Sequence, residues 1–258
     1  MARERISVDP HQRSRRRQQP GGGKRFMPVI IGLLMLLVFA GAAGGYVYEK
    51  KYAPTKELAD PADYFGVSGD EVTIYLDEEQ QADENGKLVL AKCVNGGVFL
   101  PYEWVMSTLN RRFFWASDVA EILYTMPTET LKYGIGDTLS DGSTPFLKLG
   151  NGTENLYLNV KLVAEHTNIR FTSYVSAEQK RIFIFDDFSP YTAATIQKKE
   201  AVRLLGGVKS PVLTTLEQGA NVKVLEAMEN WSRVETEDGY IGWLRNKRLS
   251  DERSVTPE

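Results

Sequence analysis

Residues 201–244 read AVRLLGGVKSPVLTTLEQGANVKVLEAMENWSRVETEDGYIGWL, a succession of short β-rich segments separated by turn residues. Val222 and Val224 alternate with polar neighbours, and Gly219 stands in a turn. Asp238 followed by Gly239 is a strong hairpin signal between strands expected at residues 232–236 and 240–244. This spacing predicts a small all-β barrel over residues 200–250, with residues 251–258 left as a tail or linker. Gly242 allows close backbone approach beneath Trp243.

Upstream of the barrel lies an internal repeat. VFLPYEWVMSTLNRRF at residues 98–113 aligns without gaps on LYLNVKLVAEHTNIRF at residues 156–171, an offset of 58. Matched positions include Phe99 with Tyr157, Leu100 with Leu158, Val105 with Val163, Asn110 with Asn168, Arg112 with Arg170 and Phe113 with Phe171. The offset becomes 60 where Glu121-Ile122-Leu123-Tyr124 meets Arg181-Ile182-Phe183-Ile184. Each copy reads as a strand that ends in a short helix and returns into further strands. Pro101 at a first helical turn and Asn159 as an N-cap both suit that start. The helical stripes, Trp104, Val105 and Leu109 in one copy and Val160, Leu162 and Val163 in the other, are too short to hold alone and must pack on a sheet. With strands expected at 72–76, 88–92 and 181–185, the fold class is α+β. The chain is then a single N-terminal transmembrane helix, an α+β domain of two repeated β-β-α-β-like units over 67–190, and the barrel.

The transmembrane assignment rests on FMPVIIGLLMLLVFAGAAGGYVY, an uncharged run between Arg25 and Glu49. As a helix it would extend about 34 Å, enough for a hydrocarbon core of roughly 30 Å. Pro28 falls in the first turn, and Tyr46 and Tyr48 stand where an aromatic belt would sit. Residues 1–25 carry eight basic and two acidic side chains; the rest of the chain carries 23 basic against 32 acidic. A +6 leader followed by a −9 remainder predicts a cytoplasmic tail at 1–25, a signal-anchor at 26–48, a stalk at 49–66 containing Pro54 and Pro61, and an extracytoplasmic remainder at the cell membrane. A cleaved signal is the competing reading, because Ala40, Gly41 and Ala42 offer a peptidase site. The long basic leader and the uncharged stretch beyond those residues favour the anchor. The run Arg15 to Arg17 is then a topology determinant, and no nucleic-acid partner is expected.

Composition narrows the chemistry. Two histidines and one cysteine exclude an internal disulfide framework and a Cys/His zinc cage, so no metal and no cofactor is expected. Cys93 lies in an apolar segment and reads as a buried hydrophobe, and His166 as a surface or capping residue on a short helix. Asp186 and Asp187 suit a strand-terminal turn, and Gly21 to Gly23 precede a helix without following a strand, which is not a phosphate loop.

The barrel segment resembles the bacterial SH3 family. Its pattern is present as Val202-Arg203, Ser210-Pro211-Val212, Leu216 with Gly219, Val222 to Leu225, Trp231 with Val234, and Asp238 to Trp243. The resemblance implies an exported module that contacts cell-wall peptidoglycan or its peptides, with Trp231, Tyr240 and Trp243 as candidate contacts. In so small a barrel, core packing is the simpler reading of the same rings. The repeat, with G-x-V-F-L-P, a helix bearing W-V, and N-x-R-F, looks like the copper amine oxidase N-terminal-like module, a shape that brings no copper here because His166 stands alone. The order of modules, with Tyr52 to Glu57, TNIRF and NWSRVETEDGYIGW, is similar to the non-catalytic N-terminal half of membrane-anchored family 18 glycoside hydrolases of Gram-positive anaerobes. Those enzymes use D-x-x-D-x-D-x-E. Here Asp60 and Asp63 begin the motif, but Phe65 stands in place of the third aspartate. The expectation is a non-catalytic module that touches the lipid bilayer and the wall. The alternative is a truncated family 18 member, working with a catalytic partner or a missing C-terminal barrel that cleaves N-acetylglucosamine polymers.

Overall fold

A computed structural model describes residues 27–67 and 69–257; the basic tail and its expected topology signal lie outside them. The chain divides into two compact units, Met1–Ala53 and Pro54–Glu258.

Among its described residues the first unit contributes one helix, α1 (Met27–Lys51), with apolar side chains exposed all round, Phe39 at 72% among them. A helix hydrophobic on every face needs an apolar surrounding. Among the described residues it is the one helix long and apolar enough to cross a membrane, a property shared by signal sequences. It runs three residues beyond the expected end at residue 48, and Lys50 and Lys51 in its last turn complement the helix dipole.

The second unit opens with α2 (Pro61–Phe65). Asp60 caps it by accepting from Ala62 N at 2.8 Å, and Gly66 closes it in the left-handed region at φ 72°. Eleven strands follow before the barrel: β1 (Glu71–Leu76), β2 (Glu79–Gln80), β3 (Leu90–Val94), β4 (Gly97–Pro101), β5 (Phe113–Ala116), β6 (Glu121–Thr125), β7 (Thr130–Tyr133), β8 (Phe146–Lys148), β9 (Leu156–Asn159), β10 (Arg170–Tyr174) and β11 (Lys180–Phe185). An eight-stranded sheet has the order β10-β11-β1-β3-β4-β9-β8, with β2 attached to β1; β5-β6-β7 form a separate sheet. The β1 and β11 pair is parallel.

The two repeated segments meet at their own equivalents. Strands β4 and β9 run antiparallel with Leu100 opposite Leu158, positions matched in the sequence alignment. Phe113 opposes Tyr124 in one following hairpin, and Phe171 opposes Ile184 in the other. The short helices differ. In the second, α4 (Val160–His166), the Asn159 side chain accepts from Lys161 N at 3.0 Å. In the first, α3 (Tyr102–Trp104) passes into a π turn over Val105–Leu109, where Asn110 N donates to Val105 O at 2.8 Å. Asn110 then ties the two helix ends together, its Nδ2 donating to His166 O and Thr167 Oγ1 at 2.9 Å each. Their apolar faces share one core with Ile74, Leu100, Phe113, Leu158 and Ile184. Cys93 is buried beside them, and the His166 ring stacks on Tyr124 at 4.1 Å.

Seven strands build the C-terminal sheet: β12 (Tyr191–Ile196), β13 (Glu200–Arg203), β14 (Val212–Leu216), β15 (Asn221–Ala227), β16 (Trp231–Thr236), β17 (Ile241–Arg245) and β18 (Leu249–Val255), in the order β14-β13-β17-β16-β15-β12-β18. They wrap a small core of Ala194, Ile196, Val202, Leu216, Val222, Val234, Leu244 and Leu249. Gly242 lies under β13, where a Cβ would stand 2.7 Å from Arg203 O.

Three expected boundaries move. The sheet begins at residue 191, ahead of the expected 200, because β12 pairs with both β15 and β18. The expected tail at 251–258 is largely β18, whose polar residues hide a strand held at its ends by Leu249 and Val255. The expected stalk at 49–66 belongs in its second half to the compact unit. Val212 N donates to Glu57 O at 2.8 Å, Ala59 N to Val212 O at 2.9 Å and Thr55 N to Val208 O at 2.8 Å, so this segment covers the open edge of β14.

Candidate ligand-binding face

Strands β16 and β17 pair with Trp231 opposite Arg245, Arg233 opposite Trp243 and Glu235 opposite Ile241. Alternation sends Val234 and Leu244 into the core and places the other set on the opposite face of the sheet. Gly239 at φ 71° closes the hairpin, its N–H donating to Thr236 O at 2.9 Å.

Trp231 and Trp243 therefore lie outside the core, both half-buried. Between them runs the backbone at Gly206, where a Cβ would stand 3.6 Å from each indole. The neighbouring Leu205 is 65% exposed. Beside Trp243 opens a cleft of about 460 Å³, lined by Arg233 and Leu204 from the barrel side and by Tyr64, Tyr75, Glu78 and Glu79 from the α+β side. The cleft sets the Arg233 guanidinium and the exposed Glu79 carboxylate near Trp243, while Glu78 is paired with Lys223.

Tyr240 sits elsewhere. Its ring packs on Phe65 at 5.4 Å and Tyr64 at 6.2 Å, at the seam between the barrel and the larger sheet. That seam contains Phe65, Val67, Tyr75, Phe183 and Ile241, with Tyr75 and Phe183 stacked at 4.6 Å. The Tyr64 hydroxyl donates to Ile241 O at 2.6 Å and accepts from Ile241 N at 3.1 Å; burial pushes its pKa up. Arg181, 4% exposed, is the polar member. Its guanidinium lies over Phe65 at 4.3 Å, Tyr174 at 4.8 Å and Tyr240 at 5.0 Å. It donates to Gly239 O at 3.1 Å, Gln179 O at 3.1 Å and Asp238 O, so it clamps the hairpin turn. Desolvation lowers its pKa.

Of the three expected contacts, the structure brings Trp231 and Trp243 together and leaves Tyr240 at the seam. Tyr64, Arg233 and Leu204 were not anticipated. Arg233 had a readable signal, since alternation from Val234 puts it on the face of both tryptophans. Tyr64 had none, lying 177 residues from its partner Ile241. Among the described residues no cluster of His, Cys, Asp or Glu is arranged to hold a metal ion. Asp186 sits beside Asp77, whose carboxylate accepts from Asp186 N at 3.2 Å and Asp187 N at 3.4 Å. The shared hydrogen bond with Asp77 pushes the Asp186 pKa up to about 6.

Residues 202–250, from β13 into the start of β18, match the bacterial SH3 domain family. The match includes Trp231, Tyr240 and Trp243 and marks the segment as a binding module. No curated protein matches the chain, and no solved structure does. These comparisons give no support to the copper amine oxidase-like or family 18 hydrolase resemblances.

Proposed function

We propose that this chain is a membrane-anchored binding module of the cell envelope that holds itself, or a partner, against peptidoglycan through the Trp231 and Trp243 face. The observation that carries the reading is the pair of half-exposed indoles on the outer face of β16 and β17, inside the segment that matches the bacterial SH3 family. Flat rings give a ligand apolar contact at low entropic cost. Arg233 can meet a carboxylate of a wall peptide, and Glu79 an amino group. Tyr240 acts from behind, holding the hairpin against the larger sheet. The exposed apolar helix α1 supports the anchor, and the excess of Lys and Arg in residues 1–25 supports an N-terminus in the cytoplasm with the rest outside. The action is binding without turnover.

The test is co-sedimentation of the detergent-solubilised chain with purified peptidoglycan. The parent should pellet, and Trp243→Ala, with an unchanged circular dichroism spectrum, should remain largely in the supernatant. A parent that stays soluble refutes wall contact. A second reading, that this is the non-catalytic region of a family 18 hydrolase, rests on the sequence resemblance of Tyr52 to Glu57, TNIRF and NWSRVETEDGYIGW alone. It predicts D-x-x-D-x-D-x-E in genomic sequence adjoining the frame.

A further inference from the structure

The loop from β13 to β14, residues 204–210, runs against the tryptophans. At Gly206 a Cβ would stand 3.6 Å from Trp231 Cγ and 3.6 Å from Trp243 Cε3, so the backbone there is in contact with both rings. The loop closes on itself. Leu204 N donates to Pro211 O at 3.0 Å, Leu205 N to Ser210 Oγ at 2.7 Å and Ser210 N to Gly207 O at 3.1 Å. One residue beyond the contact, a Cβ at Gly207 would meet nothing within 4 Å. The indoles therefore have the loop on one side and solvent on the other.

What holds this loop comes from far away in the chain. Arg203, buried at the end of β13, donates from Nη1 to Ser210 O at 2.7 Å and from Nη2 to Thr55 O at 3.2 Å. One guanidinium thus grips both the loop and the segment that follows α1. Thr55 N returns a bond to Val208 O at 2.8 Å. Further along, the same segment is stitched to β14: Val212 N donates to Glu57 O, Ala59 N donates to Val212 O, and Leu58 bridges Val212 in parallel. The bonds at Glu57 and Ala59 suffice to cover the edge of β14, whereas those at Thr55 go past the strand to the loop. Leu58 is 74% exposed, so backbone hydrogen bonds and not side-chain burial keep this strap in place. An element held in that way can lift without opening the core.

We propose that residues 55–59 and Arg203 position the tryptophan face: the seated strap holds the 204–210 loop so that Gly206 braces both indoles, and a wall peptide bound across the rings holds the strap down in return. Rings already held in place give up less freedom when a ligand arrives. Coupling of this kind acts equally in both directions. It rests on the wall-contact reading for its ligand, whereas the brace stands without one. The complete binding unit is then longer than residues 202–250, because it includes the strap.

The test uses the full chain in lipid nanodiscs, with Trp104→Phe and Trp115→Phe so that Trp231 and Trp243 alone report. Thr55→Pro combined with Ala59→Pro removes two donors of the strap and touches neither indole. Without ligand, acrylamide quenching of the two tryptophans should rise in this variant, while Thr55→Ser, which keeps the N–H, should match the parent. With soluble peptidoglycan fragments as the probe, the proline variant should bind about fivefold or more weakly. In the parent, saturating fragments should slow amide exchange at Thr55, Ala59 and Val212. That arm needs no substitution in the strap, so it stands even if the proline variant folds poorly. Unchanged quenching overturns the brace. Equal binding by parent and variant, or strap amides that exchange as fast with fragments as without, overturns the coupling and leaves wall contact intact. Tighter binding by the variant overturns it in favour of a loop that acts as a lid. A parent that ignores the fragments refutes the wall-contact reading, and the coupling falls with it.

Discussion

Replacing Arg181 with Met should loosen the seam between the barrel and the larger sheet. The guanidinium is buried and makes three hydrogen bonds to backbone carbonyls, those of Gly239, Gln179 and Asp238. Only the Gly239 bond is fully buried, so its loss costs the most, about 1–3 kcal/mol, while the other two carbonyls recover water. Three ring contacts between 4.3 and 5.0 Å add on the order of 1–2 kcal/mol. Removing a buried charge returns roughly 1 kcal/mol or more of desolvation cost. The balance is a destabilisation on the order of 2–3 kcal/mol, or a Tm lower by roughly 5–10 °C for a unit of this size. Two reporters separate the halves. Trp104 and Trp115 belong to the α+β core, whereas Trp231 and Trp243 stand on the barrel. Denaturant titrations on a Trp104→Phe, Trp115→Phe background and on a Trp231→Phe, Trp243→Phe background should coincide in the parent. With Arg181→Met they should separate, the barrel signal moving first. Coincident transitions shifted by less than about 0.5 kcal/mol, or a stabilised variant, would refute the account of the clamp.

Gly242→Ala should destabilise by about 1–3 kcal/mol in chemical denaturation, because the new methyl meets the Arg203 carbonyl at 2.7 Å, and a backbone atom yields less than a side chain. Asn110→Ala should cost about 1–2 kcal/mol, since it removes both donors that join the helix ends and leaves the His166 carbonyl with the Tyr124 hydroxyl alone; midpoint shifts at constant slope are the check. The Glu235 carboxyl has a folded-state pKa of about 7 against an ordinary 4.5, so the folded protein holds its proton more tightly than the unfolded chain. Its contribution is present below pH 4.5 and is lost as pH rises through 7. The fall in denaturation midpoint between pH 4.5 and 7.5 should therefore be smaller in Glu235→Gln than in the parent.

The elements that could be read from residues alone are those with local causes. Asp238 and Gly239 specify the β16 and β17 hairpin, Asn159 caps α4, and the alignment offset places Leu100 against Leu158. The misread boundaries share a different origin. Residues 57–59 pair with β14 across more than 150 positions, and nothing in Glu57, Leu58 or Ala59 announces a strand. Strand β18 has polar residues where alternation would be sought, and its pairing with β12 comes from the sheet edge being available. The tryptophans were legible and still easy to misjudge. Size favours burial, but Val234 and Leu244 occupy the inner face, and period-two geometry then leaves Trp231 and Trp243 outside. Arg181, at a strand position of the repeat, carried no mark of its role, because its three rings come from three separate parts of the chain.

The parallel join of β1 to β11 brings together residues about a hundred positions apart, and the seam behind it waits longer still. Phe65 and Tyr75 emerge early in synthesis, yet Ile241 arrives long after them. Until then a newly made chain displays a greasy aromatic surface with nothing to cover it. Cells that make this protein must bridge that interval, and a product terminated near residue 190 would be handed to proteases or holdases with the same surface bare.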